Sequence, residues 1–227
     1  MFQPRSYPRR SMSLAQTSAQ TSAQPSAEPS AEPTPARRGR RPAASRDDVL
    51  AEALDRYLHG RRIDVQALAG DLGLGRTTIY RWFGSRDGLL GEVLVSAAEP
   101  VFDAARKDAS GSGALALLDT FDRINRELAS APALRTFLEQ ERDALRIMTS
   151  SAGFVQPRMV AKIAGFIEEE IRTGGFVSPV EPAILAYAIV RLAEAFLFND
   201  AVRGIRGDVD RLRAIEAALL GVGASAG

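Results

Sequence analysis

The sequence predicts an all-α protein, and three observations carry that expectation. From about residue 45 onward, apolar residues recur at three- and four-residue intervals, and no segment sustains the period-two alternation of a half-buried strand. Breaks at Ser110 to Gly113, Gly153, Gly174-Gly175 and Gly204/Gly207 divide that pattern into helix-length pieces. The stretch VQALAGDLGLGRTTIYRWF, Val65–Phe83, reads as two short helices around a tight turn. About nine helices are expected, in a small N-terminal three-helix domain and a larger C-terminal one.

Residues 1–44 are expected to form a disordered tail. TSAQTSAQPSAEPSAEPTP is a four-residue repeat of small, polar and Pro residues, which cannot bury enough apolar surface to offset chain ordering. Met12 is an alternative start to Met1. The tail ends in ARRGRRPAASR, Ala36–Arg46, a basic arm with two readings. It can enter a minor groove beside a DNA-binding domain, or it is a solvated linker that adds only nonspecific affinity.

The first helix is expected over 46–59. Ser45 is its N-cap, Asp47 and Asp48 complement its dipole, and Val49, Leu50, Ala53, Leu54, Tyr57 and Leu58 form its apolar stripe. His59 is the single histidine and stands at the helix end. Asp64 is placed to cap a second helix with Leu68, Ala69 and Leu72 on one face, and Gly73 suits a left-handed turn position. In the third, Ile79 and Phe83 face inward at i, i+4, which leaves Thr77, Thr78, Tyr80, Arg81 and Trp82 toward the outer face or flanks. A fourth runs over 86–106, with Leu89, Leu90, Val93 and Leu94 inward and Pro100 kinking or dividing it. Further helices are expected over 114–129, 132–149, 156–173, 181–203 and 208–221, before a flexible C-terminus at 222–227.

The composition narrows the function. There is no cysteine, one poorly placed histidine, no Gly-rich phosphate loop and no cluster of metal ligands, so neither catalytic nor metal-binding residues are assigned and no cofactor is expected. Glu168-Glu169-Glu170 is a solvated helix face, because consecutive helical residues point in different directions. The most apolar stretch, Ala183–Phe198, contains Arg191 and Glu194, which makes it a poor membrane span, and the lack of cysteine suits a reducing cytoplasm. The net charge of +1 hides an asymmetry: residues 1–46 carry eight Arg against Glu28 and Glu32, a net +6, leaving −5 for the rest. Positive charge beside a helix-turn-helix suits a phosphate partner. However, 27 of the 29 basic residues are Arg, so Arg at any one position says little by itself.

The stretch IYRWFGSRDGLLGEVL, Ile79–Leu94, resembles the TetR family of bacterial transcriptional regulators. Tyr80, Trp82, Phe83, Arg86, Leu89 and Leu90 fill the positions of that family's recognition-helix end, basic loop residue and apolar fourth helix. Leu50, Ala53, Leu54, Leu58, Val65, Leu68, Ala69, Gly73 and Leu74 match its first two helices and turn. The match covers roughly 47–95. It implies a helix-turn-helix DNA-binding domain at 45–95 and an effector-binding and dimerisation domain at 96–221.

The resemblance implies a sequence-specific regulator, a repressor released from an inverted-repeat operator by a small molecule, with double-stranded DNA and a second copy of the chain as partners. The alternative is an effector-independent architectural DNA-binding protein. Tyr80, Trp82 and Arg86 would contact the DNA backbone, although Trp82 and Tyr80 also suit a core role. Arg76, Thr77, Thr78 and Arg81, with Gln66, would read bases: Arg matches guanine bidentately, and Thr methyls suit thymine. Two positions depart from the family pattern. Asp64 stands where a phosphate-contacting Thr is usual, and Gly75 stands where a Ser is usual.

The helix over 181–200 is apolar nearly all round, so it should be buried on both sides, one of them by a partner subunit. Ala188, Leu192, Ala195 and Phe196 are candidates for that interface, with Leu212, Ile215 and Leu219 of the last helix completing a four-helix bundle. Phe121, Phe137, Met148, Phe154, Met159, Phe166 and Arg191 are the candidates for an effector pocket. Arg191 and Glu194 either anchor a ligand, pair with each other or pair across the dimer. GRRIDVQALAGDLGLGRTTIYRWFGSRDGLLGEVL and RLAEAFLFNDAVRGIRGDVDRL are similar to a narrower branch, typified by a repressor of a quorum-sensing-signal-degrading lactonase. That similarity implies a small hydrophobic or amphiphilic effector, lactone-like in its head group.

Overall fold

The computed structural model describes residues 44–199 and 206–223. The low-complexity tail and nearly all of the basic arm lie outside the described residues, as do the end of the helix expected over 181–203 and most of the C-terminal segment.

Ten α-helices and no strand are found among the described residues. They are α1 (Arg46–Leu58), α2 (Val65–Asp71), α3 (Arg76–Phe83), α4 (Arg86–Lys107), α5 (Ala114–Ser130), α6 (Pro132–Gln140), α7 (Ala144–Thr149), α8 (Val155–Arg172), α9 (Pro182–Glu194) and α10 (Val209–Leu219). A π-helical turn, Ala195–Asn199, continues α9. The helix expected over 132–149 is two helices. Glu141 adopts an extended backbone at the end of α6, and its carboxylate turns back to Arg86. Pro100 does not divide α4, which runs unbroken past it.

Local chemistry explains the first boundaries. Ser45 and Asp48 form a reciprocal capping box on α1. Asp64 accepts from the N–H groups of Gln66 (2.8 Å) and Ala67 (2.9 Å) at the start of α2. Gly73 takes φ +65° at the turn, a conformation that a side chain would strain. Gly75 starts α3 with no side-chain cap, which leaves its first N–H groups open to another partner.

Two apolar clusters organise the molecule. The first gathers Val49, Ala53 and Tyr57 of α1, Leu68 and Ala69 of α2, Ile79 and Phe83 of α3, and Leu89, Leu90 and Val93 of α4. It does not stop there, because Leu134 and Phe137 of α6 and Ile147 and Met148 of α7 belong to it. The second holds Phe102 of α4, Leu117 and Phe121 of α5, Ile163 and Ile167 of α8, and Leu185 and Ile189 of α9. Helix α4 therefore contributes to both, as the shared beam between α1–α3 and the helices that follow.

The end of α3 and the start of α8 both sit against α4 with no room to spare. A Cβ on Gly88 would lie 2.0 Å from the Phe83 carbonyl oxygen, and one on Gly91 would lie 2.9 Å from the Phe154 Cβ. Gly88→Ala should thus force α3 away from α4. The expected outcome is a loss of about 2 kcal/mol or more in denaturant unfolding. Unchanged stability would mean that the α3–α4 contact is not the tight one described.

Candidate nucleic-acid interface and internal cavity

Helix α3 divides into two faces. Ile79 is fully buried and Phe83 nearly so, while Arg76, Thr77, Tyr80 and Arg81 are exposed and Thr78 is half-buried. Gln66, on α2, is exposed as well. Trp82 is half-buried and packs on the first cluster, so its ring roofs that core while part of it stays accessible. The exposed set has donors (Arg, Gln, Thr, Tyr) and no acid on α3 itself, a composition suited to phosphate oxygens and base edges.

Arg86 is not free at the start of α4. Its guanidinium donates to Glu141 at 2.6 Å, and its side chain is one-third exposed. The pairing holds the Glu141 carboxyl below its ordinary value. Next to it, Arg146 of α7 donates to Asp87 at 2.7 Å. Arg46 bonds Glu92 and lies over the Phe83 ring, its guanidinium carbon 4.5 Å from the ring centre. These links fasten the first helix, the recognition helix and the α6–α7 corner to the start of α4.

Behind them lies a cavity of about 380 Å³. Its walls come from α1 (Tyr57, Leu58), α4 (Leu94, Ala97, Ala98, Val101, Phe102), α5, the α5–α6 junction, α8, α9 and α10. Phe121, Met148 and Met159, three of the seven residues expected at a pocket, line it. Phe137, Phe154, Phe166 and Arg191 do not. Phe137 packs edge-on to Tyr57 at 6.1 Å, and Phe154 presses on Gly91. The Phe166 ring lies under Arg106 and Lys162. Arg191 pairs with Glu194 at 2.7 Å and donates to the Thr149 carbonyl at 2.9 Å.

Of the cavity's polar residues, Glu194 was singled out by sequence reading, whereas Asn125 and Glu216 were not. The Asn125 amide nitrogen donates to both carboxyl oxygens of Glu216, at 3.1 and 3.2 Å, and both residues line the wall. Glu194 lines it as well and accepts from Arg191, with Gln156 at 3.4 Å. Burial pushes the Glu216 carboxyl up to about 7 and raises that of Glu194, and burial pushes the Tyr57 hydroxyl up to about 12. A signal for the pair does exist in the sequence. Asn125 follows Phe121 by four residues and Glu216 follows Leu212 by four, which places a polar group inside each apolar stripe.

The expected dimer residues fall into two sets. Ala188, Leu192, Ala195, Ile215 and Leu219 keep part of their surface exposed, whereas Phe196 and Leu212 are covered by their own chain. The large apolar side chains left exposed at this end are Val177 (90%), Val180, Ile184 (56%) and Tyr187. Val180, Ile184 and Tyr187 are three to four residues apart, one edge of α9 and its approach.

Comparisons with known proteins agree with this architecture. Residues 112–221 match the family model described as Tetracyclin repressor-like, C-terminal domain. The solved structure of the transcriptional repressor QsdR of R. erythropolis, from the TetR family, superposes with a TM-score of 0.71 at 29% identity, covering 78% of this chain and 94% of that one. The TetR family repressor AlkX of Dietzia sp. strain DQ12-45-1b, implicated in biodegradation of n-alkanes, superposes with a TM-score of 0.51 at 21% identity, covering 76% and 98%. No curated protein sequence matches at a significant level.

Glu216 gives the fold a measurable pH dependence. Its folded value lies above the unfolded one, so the folded state holds the extra proton between roughly pH 4.5 and 7. The stabilising contribution is complete below that window and is lost as pH rises through about 7. Glu216→Gln should remove it: between pH 5 and pH 8, the stability lost by the wild type should exceed that lost by the variant by about 3 kcal/mol. Equal losses would show that this carboxyl does not titrate in the folded state as its burial requires.

Proposed function

The chain belongs to the TetR family of transcriptional regulators, and on that premise we propose that it is a repressor that binds an inverted-repeat operator as a homodimer and leaves it when a small hydrophobic or amphiphilic molecule fills the cavity. The chain is thus a DNA-binding regulator and not an enzyme. No helix among the described residues is long and apolar enough to cross a membrane, consistent with work at cytoplasmic DNA.

The observation that carries this reading is the path of α4. Its start receives the end of α3 at Gly88, and its middle, Leu94 to Phe102, forms one wall of the cavity. A molecule that fits the cavity better with α4 displaced would also displace the recognition helix. Such coupling needs different affinities for the two positions of α4, not merely tight binding. Tyr57 and Leu58 of α1 also line the cavity, and Met148 joins it to the first cluster, so α4 is not the sole connection.

In this reading Arg76, Thr77, Thr78 and Arg81 face base edges with Gln66 beside them, while Tyr80, Trp82 and Arg86 meet phosphates. Arg86 would exchange Glu141 for a phosphate oxygen, or share itself between them. One such module buries too little DNA surface for a tight complex, so two copies must act together. The partly exposed Ala188, Leu192, Ala195, Ile215 and Leu219 are the proposed contact, extended by Ile184 and Tyr187. The lactone-like head group implied by the branch resemblance stays the starting point for effector screening.

Selection from random duplexes tests the reading as a whole. Enriched sites should hold two inverted half-sites with centres about one helical turn apart, and no enrichment would overturn it. Arg81→Ala should cost about 1–3 kcal/mol on the selected site and relax one base position in each half. Arg86→Ala should weaken all duplexes alike and reduce the slope of log K against log salt by about 0.9. A loss confined to one base pair would contradict a phosphate role for Arg86.

A further inference from the structure

The cavity wall is chemically one-sided. Apart from Asn125, its polar lining groups are Tyr57, Glu127, Glu194 and Glu216, and no Lys, Arg or His lines it among the described residues. A ligand carboxylate in its interior would find no cation among the lining residues and would sit beside Glu194 and Glu216. The interior therefore disfavours fatty-acid-like anions, although its volume and apolar walls suit a short acyl chain.

Asn125 is more specific still. It is 3% exposed, held on α5 between the apolar cavity and the fully buried Glu216 of α10. Above about pH 7, where Glu216 is ionised, its oxygens only accept, so the Asn125 end that meets them is the NH2 group. The end left over is the carbonyl oxygen, an acceptor, and among the described residues nothing donates to it. From this geometry we infer that the effector carries an N–H donor at its polar end and gives it to the Asn125 carbonyl oxygen, with Glu216 as the positioning residue that keeps Asn125 an acceptor.

This inference rests on the cavity being the effector site, as proposed above, and it narrows the effector's chemistry. Esters, ketones and bare lactone rings offer acceptors only, and against an acceptor they leave both groups unpaired. A lactone effector would need its donor elsewhere in the molecule, as an amide joined to the ring would supply. The preferred class is a neutral amide of moderate chain length, its apolar part along Leu94, Val101 and Met159.

The test uses the full-length protein and a matched pair of probes, N-octylacetamide and octyl acetate, which differ in one N–H against one oxygen. Calorimetric titration at about pH 8.5, where Glu216 is ionised, should show the amide binding about tenfold tighter, one charge-backed hydrogen bond's worth, with octanoate weaker than both. In Glu216→Gln the neighbouring amide can donate to Asn125 in a flipped orientation, so the amide-to-ester ratio should fall toward one while ester affinity holds. Asn125→Ala should also remove the ratio. An ester bound as tightly as the amide, or a ratio unchanged in Glu216→Gln, overturns the head-group assignment and leaves the cavity reading in place. If neither neutral probe binds, the cavity is not the effector site, and both readings fall together.

Discussion

The recognition helix is short, and its inward face is only two side chains deep. Ile79 and Phe83 are buried, yet eight residues of helix cannot hold themselves in shape without packing on something larger. That support comes from α1, α4 and a core that extends into α6 and α7. The orientation of the exposed Arg and Thr side chains is therefore a property of the whole first cluster. Anything that repacks its far side, where Phe137, Ile147 and Met148 sit, alters the seat of α3. Ion pairs at the same junction, Arg86 with Glu141 and Arg146 with Asp87, hold the α6–α7 corner to the start of α4. They are partly exposed, so they specify geometry more than they add stability.

The cavity beside that core, which reaches solvent at Leu58 and Glu127, is a space that the surrounding helices do not collapse to fill. Protein interiors are normally packed to crystal-like density, and an apolar void costs the contacts its lining would otherwise make. Here the lining helices are each anchored elsewhere: α5, α8 and α9 by the second cluster, and α4 by both. Polar groups in the wall raise the cost further, since Glu216 is buried with a neutral amide as its hydrogen-bond partner. Burying a carboxyl in that setting has no evident benefit for folding. A chain keeps such a group when it places another group, and the placed group here is Asn125.

Much of the front half was legible from residues alone. Ser45 and Asp64 cap the helices they were expected to cap, and Gly73 adopts the positive φ its position demanded. Each of these is a local matter, decided within one turn of chain. The errors lie where a distant residue intervenes. The helix expected over 132–149 is broken because Glu141 reaches Arg86 across 55 positions of sequence. The aromatic and Met stripe coincides with the cavity lining only in part, because Phe137, Phe154 and Phe166 have the same helical spacing as Phe121, and spacing does not tell a core wall from a cavity wall.

By itself, then, the sequence determined the helices, their caps, the inward pair on α3 and the outward Arg and Thr face, because helical period and capping chemistry are short-range. It did not determine which apolar faces meet, and that choice decides where a void remains. Asn125 and Glu216 stand 91 residues apart and become one unit only when α5 and α10 pack. Whether a buried amide offers an acceptor or a donor depends on what lies behind it, and that neighbour was supplied by tertiary structure alone.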